Sequence, residues 1–577
     1  MNHVKCYMKG YPRPQLVRGD WTDLNGAWRF GFGEETKECD ALGGKLPREI
    51  RVPFSYETQM SGIGDATPRK TVWYAREIEG KEGKRTILHF EGADYETYVY
   101  VNGTLAGTHR GAYARFSVDV TKFLKTGKNM LAVRCDDADH PAQVRGKQRW
   151  EKESFGCWYV QTTGIWKSVW LEYVDDVYLE SLKITPNLKD YTVRFDFGVS
   201  APGDDVAVRF DIGFRGVKLH SVTAAANNRH NSVTVSLPSE KLTYQVELWT
   251  PCNPALYDLD IAVSKGGQET DRVGSYFALR DYSVKGDKIL LNGRPFYARL
   301  LLDQGYWKES GLTPPGEEAL VKDIELAKAM NFNGVRKHQK VEDERFFYYA
   351  DVMGFTVWCE LPSNHWYADG CSEQIAREWL EIVRANYNHP SLVTWVVFNE
   401  SWGVRNILTN EAQSNLATGL YYLTKSIDTM RPVISNDGWE HAMSDILTLH
   451  DYEQDGAKLR ARYETLKKIS EGSSENEQPM PFADGYAYRG QPIMISEFGG
   501  TAYVCDETRG WGYGNGVGGD EEFLDRFASL VGAIDSLNIS GFCYTQLSDV
   551  QQEVNGLLYE DRTPKVPLEK IAKRNRR

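Results

Sequence analysis

The chain has 577 residues, which is too long for one ordinary core and favours about three domains. Its 68 basic and 80 acidic residues give a net charge of −12 without a strongly basic stretch, which argues against a nucleic-acid partner. The nine cysteines contain no CxxC pair and the N-terminus has no apolar run, so we expect reduced thiols, no structural zinc, no membrane span and a cytoplasmic protein.

Residues 1–178 have the pattern of a β-sandwich. Short alternating stretches are separated by Gly, Asn and Asp, and no convincing helix interrupts them. The alternating stretch Tyr98 to Val101 runs into Asn102-Gly103, a dipeptide typical of a tight hairpin turn. This spacing predicts a jelly-roll domain.

Residues 179–279 form a second all-β stretch. The segments YTVRFDF (191–197) and VAVRFDIGF (206–214) alternate as strands do, and Pro251 and Pro254 follow. About 100 residues of short strands predict an immunoglobulin-like β-sandwich.

From about residue 280 strands alternate with amphipathic helices. Leu320, Ile324 and Ala327 lie at helical spacing, and a strand-like segment follows them directly. Eight such strands separated by helical stretches predict a (β/α)8 barrel over residues 280–577. The strand-like segments are FYARLLL (296), NGVRK (333), FTVWCE (355), LVTWVVF (392), PVISN (432), ILTLHDY (446), PIMISE (492) and GFCYTQ (541).

Two glutamates stand at strand ends of this barrel, where catalytic residues of such barrels lie. The fourth strand ends in Asn399-Glu400, and the seventh ends in Glu497. These strands lie across the barrel from each other, so the two carboxyl groups can converge on one bond. Glycoside hydrolysis needs one protonated and one ionised carboxyl group, and Asn399 can hydrogen-bond the sugar 2-hydroxyl. A retaining mechanism predicts a carboxyl separation of about 5 to 5.5 Å.

Several motifs resemble those of one enzyme family. YNHPSLVTWVVFNE (387–400) resembles the acid/base signature of glycoside hydrolase family 2, and PIMISEFGG (492–500) resembles its nucleophile segment. Motifs that resemble its two N-terminal β-domains are LNGAWRF (24–30), VNGTLAGTHRGAYARFSVDVT (101–121), TGIWKSVWLE (163–172) and WTPCNPALYDL (249–259). The resemblance covers nearly the whole chain and implies a retaining exo-β-glycosidase that works by double displacement.

The resemblance also implies roles for individual residues. Glu400 is expected to be the acid/base, Glu497 the nucleophile and Asn399 the contact to the 2-hydroxyl. Tyr452, after the sixth strand, matches a tyrosine that hydrogen-bonds the nucleophile. Other residues at family-like positions are Arg336, which closes the second strand, and Glu360, which closes the third.

Around the predicted pocket the sequence differs from the better-known members of the family. Asp303 follows the first strand, Lys337 follows Arg336, and Tyr544 stands on the eighth strand where a Trp is usual. Trp439 follows the fifth strand and could form the floor of the sugar site. We expect Asp303, Lys337, Trp439 and Tyr544 to contact the substrate.

Two sugar classes are compatible with these residues. A neutral β-galactoside is slightly favoured, because Asp303 in the pocket would repel a uronate. The alternative is a β-hexuronide (a β-galacturonide, or an atypical β-glucuronide), since Arg336, Lys337 or Lys340 could hold its carboxylate. The Asn-x-Lys element of β-glucuronidases is incomplete, because no Lys stands two residues after Asn555. A remote alternative is a non-catalytic carbohydrate-binding protein.

The expected substrate is a small carbohydrate or glycoside conjugate, with no cofactor and no metal. His338, His365 and His450 could touch substrate hydroxyls, but isolated histidines are more often structural. None of them belongs to a metal-ligand cluster in the sequence. The sequence leaves a homo-oligomer open.

Overall fold

The computed structural model describes residues 3–237, 246–465, 480–503 and 510–576. Within these ranges the chain builds two β-sandwich regions and then a barrel, as the sequence predicts. Cys505 lies outside the described residues, and the other eight cysteines are free thiols. No helix in the described ranges is both long and apolar enough to cross a membrane.

The first region consists of two main antiparallel sheets. Its elements are β1 (Trp21–Asp23), β2 (Gly26–Phe32), α1 (Glu38–Leu42), β3 (Arg48–Val52), β4 (Thr71–Glu79), β5 (Arg85–Phe90), β6 (Ala93–Asp94), β7 (Glu96–Val101), β8 (Thr104–Arg110), β9 (Phe116–Asp119), β10 (Lys128–Asp136), β11 (Gly164–Ile165) and β12 (Val169–Val174). The sheets have the orders β3-β2-β4-β10-β7-β8 and β1-β12-β5-β9, and they enclose an apolar core. The predicted hairpin is confirmed, because Val101 pairs with Thr104 and both Asn102 and Gly103 have positive φ.

The second region is the predicted immunoglobulin-like sandwich. Its strands are β13 (Leu179–Asn187), β14 (Thr192–Val199), β15 (Val206–Phe214), β16 (Val217–Ala225), β17 (Asn231–Ser236), β18 (Tyr257–Lys265) and β19 (Gln268–Phe277). They form sheets of order β13-β14-β17 and β16-β15-β18-β19. Between the sheets the rings of Phe195 and Phe210 stack at 4.8 Å.

The third region begins with a small sheet and continues as the barrel. The strands are β20 (Tyr282–Lys285), β21 (Lys288–Leu291), β22 (Arg294–Pro295), β23 (Ala298–Asp303), β24 (Gly334–Lys337), β25 (Thr356–Glu360), β26 (Leu392–Asn399), β27 (Val433–Asp437), β28 (Leu447–Asp451), β29 (Ile493–Gly499), β30 (Thr501–Tyr503), β31 (Tyr513–Val517) and β32 (Gly541–Thr545). The helices are α2 (Glu317–Ala329), α3 (Glu344–Met353), α4 (Cys371–Asn386), α5 (Glu411–Ile427), α6 (Gly456–Arg462), α7 (Asp520–Asp535) and α8 (Leu568–Arg574). The predicted domain limits fall just before β13 and between β19 and β20.

Eight parallel strands form the barrel in the order β27-β26-β25-β24-β23-β32-β29-β28. This order confirms the eight strand-like segments of the sequence. The predicted helix is also confirmed, because α2 buries Leu320, Ile324 and Ala327.

Successive side chains of a barrel strand point alternately towards the barrel axis and towards the helices. Leu300, Leu302 and Cys543 pack inside the barrel. Leu301 and Val335 belong to the core between strands and helices. This alternation determines which side chains at the strand ends reach the mouth of the barrel.

Candidate active site

Glu400 and Glu497 meet at the mouth of the barrel. Glu400 directly follows β26, and Glu497 lies in β29 near its carboxyl end. One carboxylate oxygen of each residue lies within 4.8 Å of the other. So close an approach favours the short spacing of a retaining pair over the wider spacing of an inverting pair, whose carboxyl groups lie about 6.5 to 9.5 Å apart.

The backbone at Glu400 adopts an uncommon conformation. Glu400 and Ser401 have φ values of 51° and 56°, in the left-handed region that such residues rarely occupy. The turn is held because the amide of Glu400 donates to the carbonyl of Asp437 at 2.9 Å and that of Ser401 donates to Asn436 Oδ1 at 3.0 Å. These bonds aim the Glu400 carboxyl group into the pocket instead of along the strand.

Glu497 is surrounded by hydrogen-bond donors. Arg336 Nη1 donates to its Oε1 at 2.7 Å, and the hydroxyl of Tyr452 donates to its Oε2. Burial raises the pKa of the Glu497 carboxyl, but the charges of His450 and Arg336 outweigh burial and hold the pKa at about 2. Glu497 is therefore an anion at neutral pH, which is the state that a nucleophile needs.

Arg336 connects the groups around Glu497. It is fully buried, and its guanidinium reaches Glu360 Oε2 at 2.9 Å, Asp437 Oδ2 at 2.9 Å and Asn399 Oδ1 at 2.6 Å. Because a guanidinium is planar and stays charged, these contacts fix the positions of the surrounding side chains. The sequence predicted Arg336, Glu360, Asn399 and Tyr452 at the site, and the structure brings all four together.

His450 contributes a contact that the sequence did not assign. Its Nδ1 lies 2.7 Å from Glu400 Oε1, and its Nε2 lies 3.1 Å from Asp437 Oδ2 and 3.5 Å from Glu497 Oε1. Burial lowers the pKa of the imidazole, but Glu497, Asp437 and Glu400 raise it to about 10. His450 is thus an imidazolium that lies between the carboxyl groups of Glu400 and Glu497. The sequence did contain one indication of this contact, because His450 lies two residues before Tyr452 at the carboxyl end of β28.

Glu400, His450 and Glu497 also have the atom types of a metal site, although the sequence suggested no such cluster. Both ring nitrogens of His450 hydrogen-bond carboxylates, so the histidine serves here as a hydrogen-bond bridge. Trp439, also predicted at the site, packs its ring edge-to-face with His450 at 5.5 Å and is partly exposed at the mouth.

Asp303, Lys337 and Tyr544 require a correction, because their side chains point away from the pocket. Lys337 Nζ is buried behind the strands, where it pairs with Asp303 at 2.5 Å and Glu342 at 2.8 Å. The ring of Tyr544 packs against Phe498 at 5.3 Å in the core under the helices. Strand alternation is the reason, because the neighbours Arg336 and Cys543 take the inward positions.

Lys340, the other cation considered for a uronate, is also unavailable. It is fully buried, and its Nζ donates to Glu342 Oε2 at 2.8 Å and to the carbonyls of Gly305 and Leu312 at 2.7 Å. The cations that the sequence placed at the mouth are therefore all engaged by protein groups.

A segment of the first β-sandwich region, residues 146–159, lies over one side of the mouth. The carbonyl of Gly146 accepts from His365 Nε2 at 2.7 Å, and the hydroxyl of Tyr159 donates to Glu553. The segment thereby contacts the loops that follow the third and eighth barrel strands. The sequence does not predict a role for this segment, because its contacts are distant along the chain.

Comparison with known proteins agrees with this architecture. Residues 21–172 match the sugar-binding domain of the glycosyl hydrolases family 2, and residues 282–506 match the TIM barrel domain of that family. Residues 177–280, between them, match a domain described as glycosyl hydrolases family 2. Together these matches cover most of the chain in the order expected for the family.

Individual relatives are more distant. A putative β-glucuronidase of Formosa agariphila is 29% identical over 68% of this chain and 48% of its own length. A β-galactosidase of Thermoanaerobacter pseudethanolicus is 26% identical over 66% of this chain and 51% of its own length. The chain thus spans about half the length of these curated relatives.

Solved structures share the fold over the full length. A family 2 β-galacturonidase from Eisenbergiella tayi has a TM-score of 0.76 at 21% identity and covers 99% of this chain and 98% of its own. A β-glucuronidase from Bifidobacterium dentium has a TM-score of 0.78 at 20% identity, with 97% and 98% covered. With three successive domain matches and this common fold, the chain belongs to glycoside hydrolase family 2.

Proposed function

We propose that this chain is a retaining exo-β-glycosidase that removes a terminal β-linked hexosyl residue. The observation that carries the proposal is the approach of the Glu400 and Glu497 carboxylate oxygens to within 4.8 Å. Such spacing favours direct attack by one carboxylate over attack by a water molecule held between the two. The segment 146–159 over the mouth supports a pocket for a chain end instead of an open cleft.

In the first step, Glu497 attacks the anomeric carbon and forms a glycosyl ester, while the bond from that carbon to the leaving oxygen breaks. Glu400 gives its proton to the leaving oxygen. In the second step, Glu400 takes a proton from water, whose oxygen attacks the anomeric carbon and releases Glu497. The sugar leaves with its β configuration restored.

The surrounding residues position these two groups. Arg336 donates to one oxygen of Glu497 and Tyr452 donates to the other, which fixes the orientation of the carboxylate. Asn399 is held at its Oδ1 by Arg336, which leaves its amide N–H groups available for the sugar 2-hydroxyl. His450 holds Glu400 at a fixed distance from Glu497.

The position of Asp303 bears on the choice of sugar. Asp303 was the basis for favouring a neutral β-galactoside, but it lies outside the pocket and is paired with Lys337. That pairing removes the expected repulsion of a uronate. A β-galactoside and a β-hexuronide are therefore both candidate substrates, and relatives carry names of both kinds.

The proposal is tested by turnover of nitrophenyl β-galactoside, β-glucuronide and β-galacturonide. Glu497→Gln should abolish turnover of every substrate, whereas Glu400→Ala should retain turnover of an activated aryl glycoside and be accelerated by azide. Binding of sugar without turnover by the wild-type protein would instead support a carbohydrate-binding role. Failure of azide to rescue Glu400→Ala would contradict its role as acid/base.

A further inference from the structure

Lys147 brings a positive charge from the first β-sandwich region to the mouth of the barrel. Only 4% of the residue is exposed, and its Nζ lies 4.8 Å from the ring centroid of Trp402. Trp402 follows Glu400 by two residues in the turn after β26. The ammonium group therefore lies beside the turn that aims the proposed acid/base into the pocket.

The chain holds Lys147 at this place through its neighbour Gly146. Gly146 has a φ of 61°, and a Cβ atom there would overlap the carbonyl oxygen of Gln339. Its amide donates to the carbonyl of Ser363 at 3.0 Å, and its carbonyl accepts from His365. The loops after the second and third barrel strands thus fix the segment, which makes Lys147 a pre-positioned group.

Lys147 differs from the other buried cations of this region in its partners. Arg336, Lys337 and Lys340 are each paired with carboxylates. In contrast, no carboxylate oxygen in the described ranges lies within 4 Å of Lys147 Nζ. Its neighbour Cys157 supplies no counter-charge at pH 7, because burial raises the pKa of that thiol to about 11.

Longer-range charges keep Lys147 protonated. Burial lowers the pKa of its ammonium, whereas the charges of Glu553, Glu497 and Glu400 raise it. Glu553 is itself engaged, because its oxygens accept from Tyr159 and from Asn555. A desolvated cation without a close anion is an arrangement suited to binding an anionic group of a ligand.

We propose that Lys147 is a specificity-determining residue that pairs with the carboxylate of a β-hexuronide in the pocket. The inference rests on the proposed glycosidase function and names its substrate class. It assigns the selection of the sugar to the first β-sandwich region, while the chemistry stays with the barrel. Lys147 would supply the contact for which the sequence lacks a Lys two residues after Asn555.

The test compares kcat/KM for nitrophenyl β-galacturonide, β-glucuronide and β-galactoside. Wild type should prefer at least one uronide over the galactoside. Lys147→Met should lower kcat/KM for that uronide about 100-fold, mainly through KM, and change the galactoside less than about threefold, because one charge-assisted contact is lost. Lys147→Arg should restore part of the uronide activity.

Two matched variants control for charge and position. Lys128→Met removes an exposed lysine of the same region and should leave all three values unchanged. Arg405→Met removes an exposed arginine of the turn after β26 and should leave the preference for uronide over galactoside unchanged. Loss of that preference in Arg405→Met but not in Lys147→Met would overturn the proposal. An equal loss on uronide and galactoside in Lys147→Met would also overturn it, since that result indicates a structural role.

A binding experiment separates this inference from the proposed function. Calorimetry with free galacturonate, glucuronate and galactose should show that Lys147→Met weakens binding of a uronate only. If wild type hydrolysed none of the glycosides but bound a uronate in a Lys147-dependent way, the proposed function would fail and the inference would stand. Hydrolysis with a preference for the galactoside, and no binding of either uronate, would leave the proposed function intact and contradict the inference.

Discussion

Nδ1 of His450 and Oε1 of Glu400 lie 2.7 Å apart and share a hydrogen bond. The same ring reaches Asp437 through Nε2, so its orientation is fixed from both sides. Because the imidazolium also lies 3.5 Å from Glu497, one cation sets the distance between the two proposed catalytic groups.

Replacing His450 should reduce catalysis more than substrate binding. In His450→Asn the amide is neutral and reaches one neighbour at most, so the Glu400 carboxyl group loses its fixed position. We expect kcat to fall about 10- to 100-fold with KM changed less than about threefold, since misplacement of a catalytic group acts on the transition state. A rise in KM with kcat unchanged would instead indicate that His450 contacts the substrate.

The stability that His450 provides should decline at alkaline pH. The reference pKa of a histidine is 6.5. In the fold, burial lowers the pKa of His450, but Glu497, Asp437 and Glu400 raise it to about 10. A pKa raised by folding gives its full stabilisation below pH 6.5 and loses it as pH rises towards 10.

The measurement is urea unfolding of wild type and His450→Gln at pH values across that window. The difference in free energy of unfolding should shrink by about 1.4 kcal/mol per pH unit. Groups that titrate in both proteins cancel in this comparison. A difference that stayed constant with pH would show that His450 is neutral in the fold.

The hydroxyl of Tyr452 should matter for the nucleophile. Tyr452→Phe removes the donor to Glu497 Oε2 while keeping the ring stacked on Tyr513. We expect kcat/KM to fall about 10- to 100-fold, because a charge-assisted hydrogen bond contributes roughly 1.5 to 3 kcal/mol. Tyr191→Phe, at a partly exposed tyrosine of the second region, is the control and should be unaffected.

Lys337 should affect stability and leave sugar selectivity unchanged. Lys337→Met leaves Asp303 and Glu342 with one cation fewer in the core, and breaking such a buried pair costs about 3 to 5 kcal/mol. Urea unfolding should therefore show a large destabilisation. The ratio of kcat/KM for uronide and galactoside in the folded protein should equal that of wild type, and a changed ratio would place Lys337 in the pocket after all.

The fold and the positions of the proposed catalytic pair could be predicted from the sequence because both follow from local patterns. Strand-end positions identified Glu400 and Glu497, and strand periodicity identified the eight barrel strands. The outward direction of Lys337 could also have been predicted from the sequence, since adjacent residues of a strand point to opposite sides and Arg336 was expected in the pocket.

Other parts of the site depend on contacts that the sequence does not encode locally. Lys147 reaches Trp402 only because two domains pack together, and Gly146 permits that approach. The charge of His450 depends on three carboxylates that converge from separate strands. Such features require the tertiary arrangement to be known.

The close approach at Gly146 can be tested directly. Gly146→Ala should displace the segment 146–159 from the mouth and raise KM, because a Cβ atom would overlap Gln339. Gly103→Ala is the matched control, since Gly103 has a φ of 81° but open space around its Cβ position. Both variants carry the cost of a left-handed alanine, about 1 to 2 kcal/mol. A change in KM that occurs only in Gly146→Ala therefore reports the overlap with Gln339 and not this shared strain. An equal KM in the two variants would contradict the packing described for this segment.

The central claim is that Glu497 attacks the anomeric carbon, and covalent trapping tests it most directly. A 2-deoxy-2-fluoro glycoside with a dinitrophenolate leaving group slows the second step more than the first, so the glycosyl-enzyme accumulates. Peptide mass spectrometry of the inactivated protein should locate one added sugar on the peptide that contains Glu497, with no adduct in Glu497→Gln. An adduct on another residue, or turnover that releases the α-anomer with no adduct, would contradict the account.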